Sequence, residues 1–453
     1  MKQRYINKNK WITSAGLGQL VPCFIEKTLP GGEYEIKPNC SVKFQPFADD
    51  TVGSLKLEMR YFYVDIDLIW KNYKKFWNEQ NMGAPSIDEP YINIASGGLD
   101  TLGTGSLLYK FGLPDVDNAD GFNISALPIR AYQKIYYDKY LARIPSYLTD
   151  MEEDDYLVTT DGNDGATLLT IHNRFYDMDK DYRYNVRNTQ IDGSLPTITN
   201  GDTINDFADF IIKSKFAMLF KMLSNKTTDI IRNLFKSEEI KSDRVTEILN
   251  FSKYINISEI YSNAETDTNI VGSNVTIGKD VMINETNMKT FKAPNYGYIM
   301  GIVCVYPEIN EFFSTQSDFL INRSDIETLP NPAYANLGFV PVLRKETGFI
   351  GNTISDSTAI GYRPIFEPIR KGYNVIAGEM VQPANYGKIL GRVLPMNFND
   401  LVTINHTEYE PFMSNKIEPQ IRLFVINEVN KNIPMPKTLD YVDIDDMMNG
   451  IKI

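Results

Sequence analysis

Histidine and cysteine are scarce in this chain. Its 453 residues include 2 His and 3 Cys, the residue types behind most zinc sites and many activated nucleophiles. His172 and His406 stand far apart in sequence and are read as surface or interface residues. Cys23, Cys40 and Cys304 lack metal-ligand spacing and cannot all pair with one another. A disulfide framework is therefore not expected, and a reducing compartment is. The chain has no Gly-x-Ser-x-Gly elbow, no Walker loop and no His-Glu-x-x-His pair. The expectation is a protein that is not an enzyme, with no catalytic residue, no metal and no cofactor. No run of about 18 apolar residues occurs, so no membrane span is expected. The polar start, Met1 to Lys10, lacks an apolar core, so no signal peptide is expected either.

Positive charge is also in deficit. Lys and Arg total 46 against 58 Asp and Glu, a formal net charge of −12. Such a surface is not attracted as a whole to phosphate backbones. Contact with nucleic acid would need local basic patches, a basic partner or bound cations. Acid is dense at Asp150 to Asp155 and again at Asp440 to Asp446. The N-terminus is the reverse, with Lys2, Arg4, Lys8 and Lys10 close together. The plain reading of such runs is a solvated surface. The sharper reading of the N-terminal run is an arm that faces nucleic acid. Asp161-Gly162-Asn163-Asp164-Gly165 packs oxygen ligands like a calcium loop but lacks the full spacing and closing Glu. It is read as a tight turn.

What is present is ordinary globular material rich in rings. Hydrophobic residues make up 43% and aromatics 12%, with 27 Tyr and 24 Phe. Tyr and Phe suit half-buried strands and interfaces. Leu20-Val21-Pro22-Cys23-Phe24-Ile25 is apolar, Leu29-Pro30-Gly31-Gly32 is a turn, and 34–37 and 42–44 alternate. Residues 55–61 hold strict period two, which signals a strand with one buried face. Leu68, Ile69, Tyr73, Phe76 and Trp77 fall at helical spacing, which predicts a helix over 67–79. Trp70, Tyr73 and Trp77 are read as core, with a base-stacking platform as the alternative.

Residues 80–125 read as loop and 129–143 as helix, with Ile129, Tyr132, Ile135, Tyr136 and Leu141 buried. Residues 145–203 read as a long acidic surface excursion, 204–224 and 228–236 as helices. Tyr298 to Tyr306 is a continuous apolar run closed by Pro307, as for a buried strand, and 421–426 is another. Residues 386–391 suggest a short strand, and Gly361-Tyr362-Arg363-Pro364 a loop. Strands at both chain ends, with helices and long loops between, must pair over great sequence distance. The two packed antiparallel sheets of a jelly roll do this.

Several segments also resemble one known family. They are Gly18-Gln19-Leu20-Val21-Pro22 followed by Thr28-Leu29-Pro30-Gly31-Gly32, and Tyr61-Phe62-Tyr63-Val64 running into Leu68-Ile69-Trp70. Further on come Leu127-Pro128-Ile129-Arg130-Ala131-Tyr132-Gln133-Lys134-Ile135 and Asn295-Tyr296-Gly297-Tyr298-Ile299-Met300-Gly301. Asn331-Pro332-Ala333-Tyr334-Ala335-Asn336-Leu337-Gly338, then Gly361-Tyr362-Arg363-Pro364 and Gly378-Glu379-Met380, complete the series. In this order, over roughly 18–380, they resemble the major capsid proteins of microviruses, including the gokushovirus type. Gly32, Asp65 and Asp67 depart from the family pattern, and 145–290 matches poorly.

The resemblance implies a viral eight-stranded antiparallel jelly roll, mainly β, with long loop and helical insertions. It implies one capsid domain over 1–453, in which 67–297 is largely inserted helices and loops between barrel strands. It implies self-assembly into a T = 1 icosahedral shell around circular single-stranded DNA, in the cytoplasm of a host bacterium. Implied partners are other copies of the chain, scaffolding or internal proteins, a DNA pilot protein and, in some members, a spike protein. The motif residues expected to shape the fold are Pro30, Gly31, Trp70, Arg130, Tyr132, Gly301, Gly338, Gly361, Tyr362 and Pro364. The alternative reading is a carbohydrate-binding or carbohydrate-active β-sandwich.

Overall fold

Alternation of buried and solvated side chains builds most strands of this protein. The computed structural model describes residues 2–45, 51–80, 86–94, 106–113, 122–140, 161–162, 244–256, 283–284, 290–307, 339–343, 359–364, 366–370, 376–382, 389–390 and 419–435. In chain order the first strands are β1 (Gln3–Ala15), β2 (Val21–Thr28), β3 (Glu33–Phe44), β4 (Ser54–Asp65), β5 (Tyr91–Ile94) and β6 (Phe122–Ser125). Then come β7 (Thr246–Asn256), β8 (Ile283–Asn284), β9 (Phe291–Lys292), β10 (Gly297–Pro307), β11 (Phe339–Leu343), β12 (Ala359–Pro364) and β13 (Ile421–Ile433). The α-helices are α1 (Tyr73–Gln80), α2 (Leu107–Lys110), α3 (Leu127–Ile135) and α4 (Glu367–Arg370).

Two antiparallel sheets share one core. The first runs β1-β13-β3-β8, with β9 also on β3, and the second runs β2-β10-β4-β7. Tyr34, Ile36, Val42, Leu423 and Val425 of the first sheet and Leu57, Met59, Tyr61 and Val303 of the second belong to a single buried cluster. The arrangement is a β-sandwich. β11 pairs with β12 and β5 with β6 in two further small sheets. The long strand pairings reach across the whole sequence, with Gln3 opposite Ile433 and Ala15 opposite Ile421.

β10 differs from its neighbours because all eleven of its residues are buried. One face meets the opposite sheet. On the other face α3 packs against both β10 and β4. A strand covered on both sides needs no polar face, so its sequence is a continuous apolar run.

β2 is an edge strand with a bulge. Gly301 pairs with Phe24 and Ile302 with Pro22, so Cys23 is the extra residue. An edge bulge tolerates Pro22, which has no N–H for the ladder. The carbonyl freed at Cys23 accepts a bond from Asn427 Nδ2 at 3.0 Å. Asn427 Oδ1 in turn accepts from the Tyr61 hydroxyl at 2.5 Å. Three strands from both sheets are thereby tied by one fully buried amide.

The structure corrects several expectations. Strand structure begins at Gln3, not near residue 20, because the polar N-terminal run forms the edge strand β1. The helix expected over 67–79 is broken. Asp65 caps a 3₁₀ turn at Ile66–Leu68, and α1 starts only at Tyr73. Within the expected loop 80–125, β5 and β6 pair and α2 forms a short helix. The expected helix 129–143 starts at Leu127, with Pro128 in the first turn, where a missing N–H costs little. It widens into a π turn at Tyr136–Tyr140.

Gly361, Tyr362 and Pro364 lie in a strand rather than a loop, paired with Val342, Pro341 and Phe339. The pairing partner lies some twenty residues upstream, which no local pattern reveals. Of the strand suggested at 386–391, the described part is one parallel bridge from Ile389 to Val52. The helices expected at 204–224 and 228–236, both acidic runs, both histidines and Gly338 lie outside the described residues, as do Asn163, Asp164, Gly165 and Leu141. β7, β8 and β9 fall inside the interval 67–297 and join the two large sheets.

Cys23, Cys40 and Cys304 are buried free thiols. Burial pushes all three above the ordinary thiol value of 9.0, Cys40 to about 12. An unfolded thiol loses its proton near that value while the native thiol keeps it. The native state then binds more protons, and this contribution to stability falls as pH rises through 9. We expect no reaction of the native protein with Ellman's reagent at about pH 8, and reaction of all three thiols in concentrated guanidinium.

Candidate functional site

Most of the described motif residues converge on α3 and one end of the sandwich. The link from β2 to β3 crosses between the sheets in a single turn. Pro30 supplies a fixed φ and Gly31 a φ of +73°, and Gly32 N donates to Leu29 O at 2.9 Å. These are the features of a type II turn. Ala293, just before β10, clasps it from outside. Gly31 N donates to Ala293 O, and Ala293 N donates to Gly32 O, both at 2.8 Å.

The same end holds the exit from β4. Trp70 is buried, and its indole donates to Asp161 Oδ1 at 2.6 Å. Asn72 Nδ2 donates to the other Asp161 oxygen at 2.8 Å. Both oxygens of the candidate cation-loop aspartate therefore face donors of the chain. Asn295 gathers the neighbouring groups. Its Nδ2 donates to Asp65 Oδ1 and to the Tyr73 hydroxyl, and its carbonyl accepts from Tyr63. Burial and the Asp65 carboxylate hold the Tyr63 phenol above its ordinary value. Asp65 also caps the turn that follows, through Asp67 N. The signal that could have found Asn295 was its place at the head of the Asn295-Tyr296-Gly297 segment.

α3 works as a clamp. Arg130 is fully buried and donates to Ile69 O at 2.9 Å, fixing the exit from β4. Tyr132 donates to Leu20 O at 2.7 Å, fixing the entry to β2. Lys134 pairs with Asp138 at 3.0 Å, with both side chains 2% exposed. Asp138 Oδ2 also accepts from Val245 N at the entry to β7. One helix thus holds three strands of the second sheet through polar groups that apolar packing alone would not orient. Nearby, Lys110 on α2 reaches Gln19 Oε1 at 2.5 Å, and burial pushes its ammonium down to about 8.

Gly301 sits in β10 facing the core. A Cβ there would lie 2.6 Å from the Tyr61 ring and 3.0 Å from Phe24 Cβ. Gly361, Tyr362 and Pro364 are placed apart from this end, in β12.

A cavity of about 300 Å³ opens at the clasped end. Trp70, Tyr73, Phe76, Trp77, Tyr296 and Tyr298 line it, with Lys27 and Glu89 as its charged groups. Trp77 is 43% exposed and stands 5.2 Å from Tyr296, ring to ring. Trp70 and Tyr73 are core, as expected, while Trp77 is half open. Among the described residues no group of three or more His, Cys, Asp or Glu could hold a metal ion. The convergence orients strands rather than a reacting atom.

Residues 5–184 match the phage F protein family, described as "Capsid protein (F protein)". Over this span the chain is similar to the phage F capsid proteins. The capsid-family span contains β1 to β6 and α1 to α3, and so includes the turn, Trp70, Arg130 and Tyr132. The chain is also similar to the "Capsid protein VP1" of Bdellovibrio phage phiMH2K. Identity is 30% over 121 residues, covering 26% of this chain and 22% of that protein. The chain thus matches about a fifth of the length of this curated relative. The family read from the sequence motifs and the family matched here agree.

Two substitutions test the clamp. Asp138→Asn leaves the buried Lys134 ammonium without its carboxylate and is expected to cost about 3–5 kcal/mol in denaturant unfolding, with Asp138→Asn/Lys134→Met recovering much of the loss. Gly301→Ala forces the Tyr61 ring aside and is expected to cost about 1–3 kcal/mol, read as a lower Tm.

Proposed function

We propose that this chain is the major capsid protein of a small single-stranded DNA bacteriophage of the microvirus type, a shell-building protein and not an enzyme. One observation carries the reading. The stretch matched to phage capsid proteins is the stretch that forms β1 to β4 and the α3 clamp, the frame of both sheets. The fold we propose is the viral jelly roll. With β8 and β9 counted as one strand, the main strands number eight. Their sheet orders become 1-8-3-6 and 2-7-4-5, the pattern of two interlocked Greek keys. One domain over 1–453 would carry 67–297 as a largely inserted region between barrel strands. The ten motif residues, Gly338 among them, would serve to shape that domain.

Copies of the chain would close a T = 1 shell around circular single-stranded DNA. A stiff sandwich with long connections suits this work, because symmetry multiplies modest contacts into a closed particle. The other partners would be scaffolding or internal proteins, a DNA pilot protein and, in members that carry one, a spike protein. Assembly would take place in the host bacterial cytoplasm, and the mature location would be the virion. The acidic excursion 145–203 would lie outside.

The test is negative-stain microscopy of the protein expressed with its neighbouring phage genes. Uniform spherical particles of roughly 25–30 nm are expected, the size of about 60 such subunits. Only monomers or small oligomers would overturn the reading. The aromatic cavity with Trp77 favours a second reading, a carbohydrate-binding sandwich. A rise in Tm with soluble glycans, in protein that forms no particles, would support that reading instead.

A further inference from the structure

The two large sheets differ in what covers their outer faces. The β2-β10-β4-β7 sheet is backed by α3. The β1-β13-β3 sheet has no helix packed on its outer face among the described residues. Register and burial identify the side chains on that face. Across β1, β13 and β3 the rows are Lys8–Glu428–Lys37, Lys10–Ile426–Asn39, Ile12–Phe424–Ser41 and Ser14–Arg422–Lys43. In β3 and in 421–429 of β13 every second residue is buried and those between are not, and β1 follows in register, so these rows share the solvent side.

These four rows hold five cations and one carboxylate, in a chain whose net charge is −12. Glu428 is taken up by Lys8 at 2.6 Å. Lys10 and Lys43 are exposed and form no ion pair among the described residues. Between the cations lies an apolar centre. Ile12 is 78% exposed and Phe424 38% exposed, on a surface where neither gains anything from water. The acids of the face, Glu33 and Glu35, lie toward its other end, where Lys2 and Asn430 occupy them. A flat surface that presents fixed cations around an open ring fits a polyanion that itself exposes flat apolar rings. Duplex nucleic acid and phospholipid headgroups offer the charge without such rings. Single-stranded nucleic acid offers both.

We propose that the outer face of the β1-β13-β3 sheet binds single-stranded nucleic acid, with Lys10, Lys37 and Lys43 on phosphates and Phe424 stacking on a base. This rests on the capsid reading and adds that this sheet, not the one backed by α3, faces the genome inside the shell.

The first measurement is fluorescence anisotropy of a labelled thymidine 20-mer with the full-length purified chain, over a salt series. Wild type is expected to bind, and Lys10→Gln/Lys43→Gln to lower the logarithmic salt slope by about 2. Phe424→Ala is expected to weaken binding roughly tenfold with the salt slope unchanged. Lys71→Gln/Lys75→Gln, outside the face, is expected to bind as wild type does. Equal loss in that control, no effect of the face variants, or binding to phosphatidylserine vesicles in place of the oligonucleotide would overturn the proposal.

The second measurement is the DNA content of particles from cells expressing the phage genes. If wild type forms particles and Lys10→Gln/Lys43→Gln particles carry less DNA, the proposal stands. If those particles carry the wild-type amount, the proposal fails and the capsid reading survives. If wild type forms no particles, the capsid reading fails, and the inside-facing assignment of this sheet with it.

Discussion

The position of β13 is the constraint on which the rest of this structure depends. A strand that begins at Ile421 lies between the first and third strands, and each of its two sides is hydrogen-bonded for twelve or more residues. The first sheet cannot close until the far end of the chain arrives. Asn427 makes that closure specific. Its amide is fully buried and bonds to Tyr61 on one side and to the bulged Cys23 carbonyl on the other. A one-residue slip of β13 would swing this amide to solvent and leave the Tyr61 hydroxyl unsatisfied in the core, a cost that apolar contacts alone would not impose.

The second sheet is held by a different device. Its central strand β10 has apolar residues on both faces, so something must cover the outer side. α3 does this with an unusual composition, since Arg130, Gln133 and Lys134 are all buried. Arg130 and Lys134 stay in place because the Ile69 carbonyl and the Asp138 carboxylate meet them. The result ties the entry to β2, the exit from β4 and the entry to β7 to one helix. Among the described residues an asymmetric sandwich follows, with one outer face backed by a helix and no helix on the other. That asymmetry gives the sandwich two different outer surfaces.

Much of the sandwich was legible in the sequence where one face alone is buried. Residues 55–61 alternate because the sheet does, and β4 extends that pattern from Ser54 to Asp65. The apolar run at 298–306 marks β10 because both its faces are covered. The turn at Pro30 and Gly31 needs only local chemistry. Other strands were hidden by their edges. β1 carries Ile6 and Ile12 outward, so its apolar residues fall on both faces and the alternation is lost. β7 pairs on an edge with a bulge at Tyr61 and Phe62, which sets Ile248 and Leu249 side by side in the core and breaks period two. The helix expected over 67–79 failed for a local reason, since Asp65 bonds to Asp67 N and starts a 3₁₀ turn instead.

By itself, the sequence determined the class of the protein: mainly β, built from strands far apart along the chain, with motifs in capsid-protein order. It also singled out Trp70, Arg130, Tyr132 and Gly301, through the resemblance of their segments to the motifs of that family. Tertiary structure alone decided what those residues hold. The partners of Arg130 and Tyr132 are backbone carbonyls about sixty and over a hundred residues away, and a carbonyl looks the same in every sequence. Only the folded register, likewise, gathers Lys10, Lys37, Lys43 and Phe424 on one open face, because cross-strand neighbours are set by pairing and not by position along the chain.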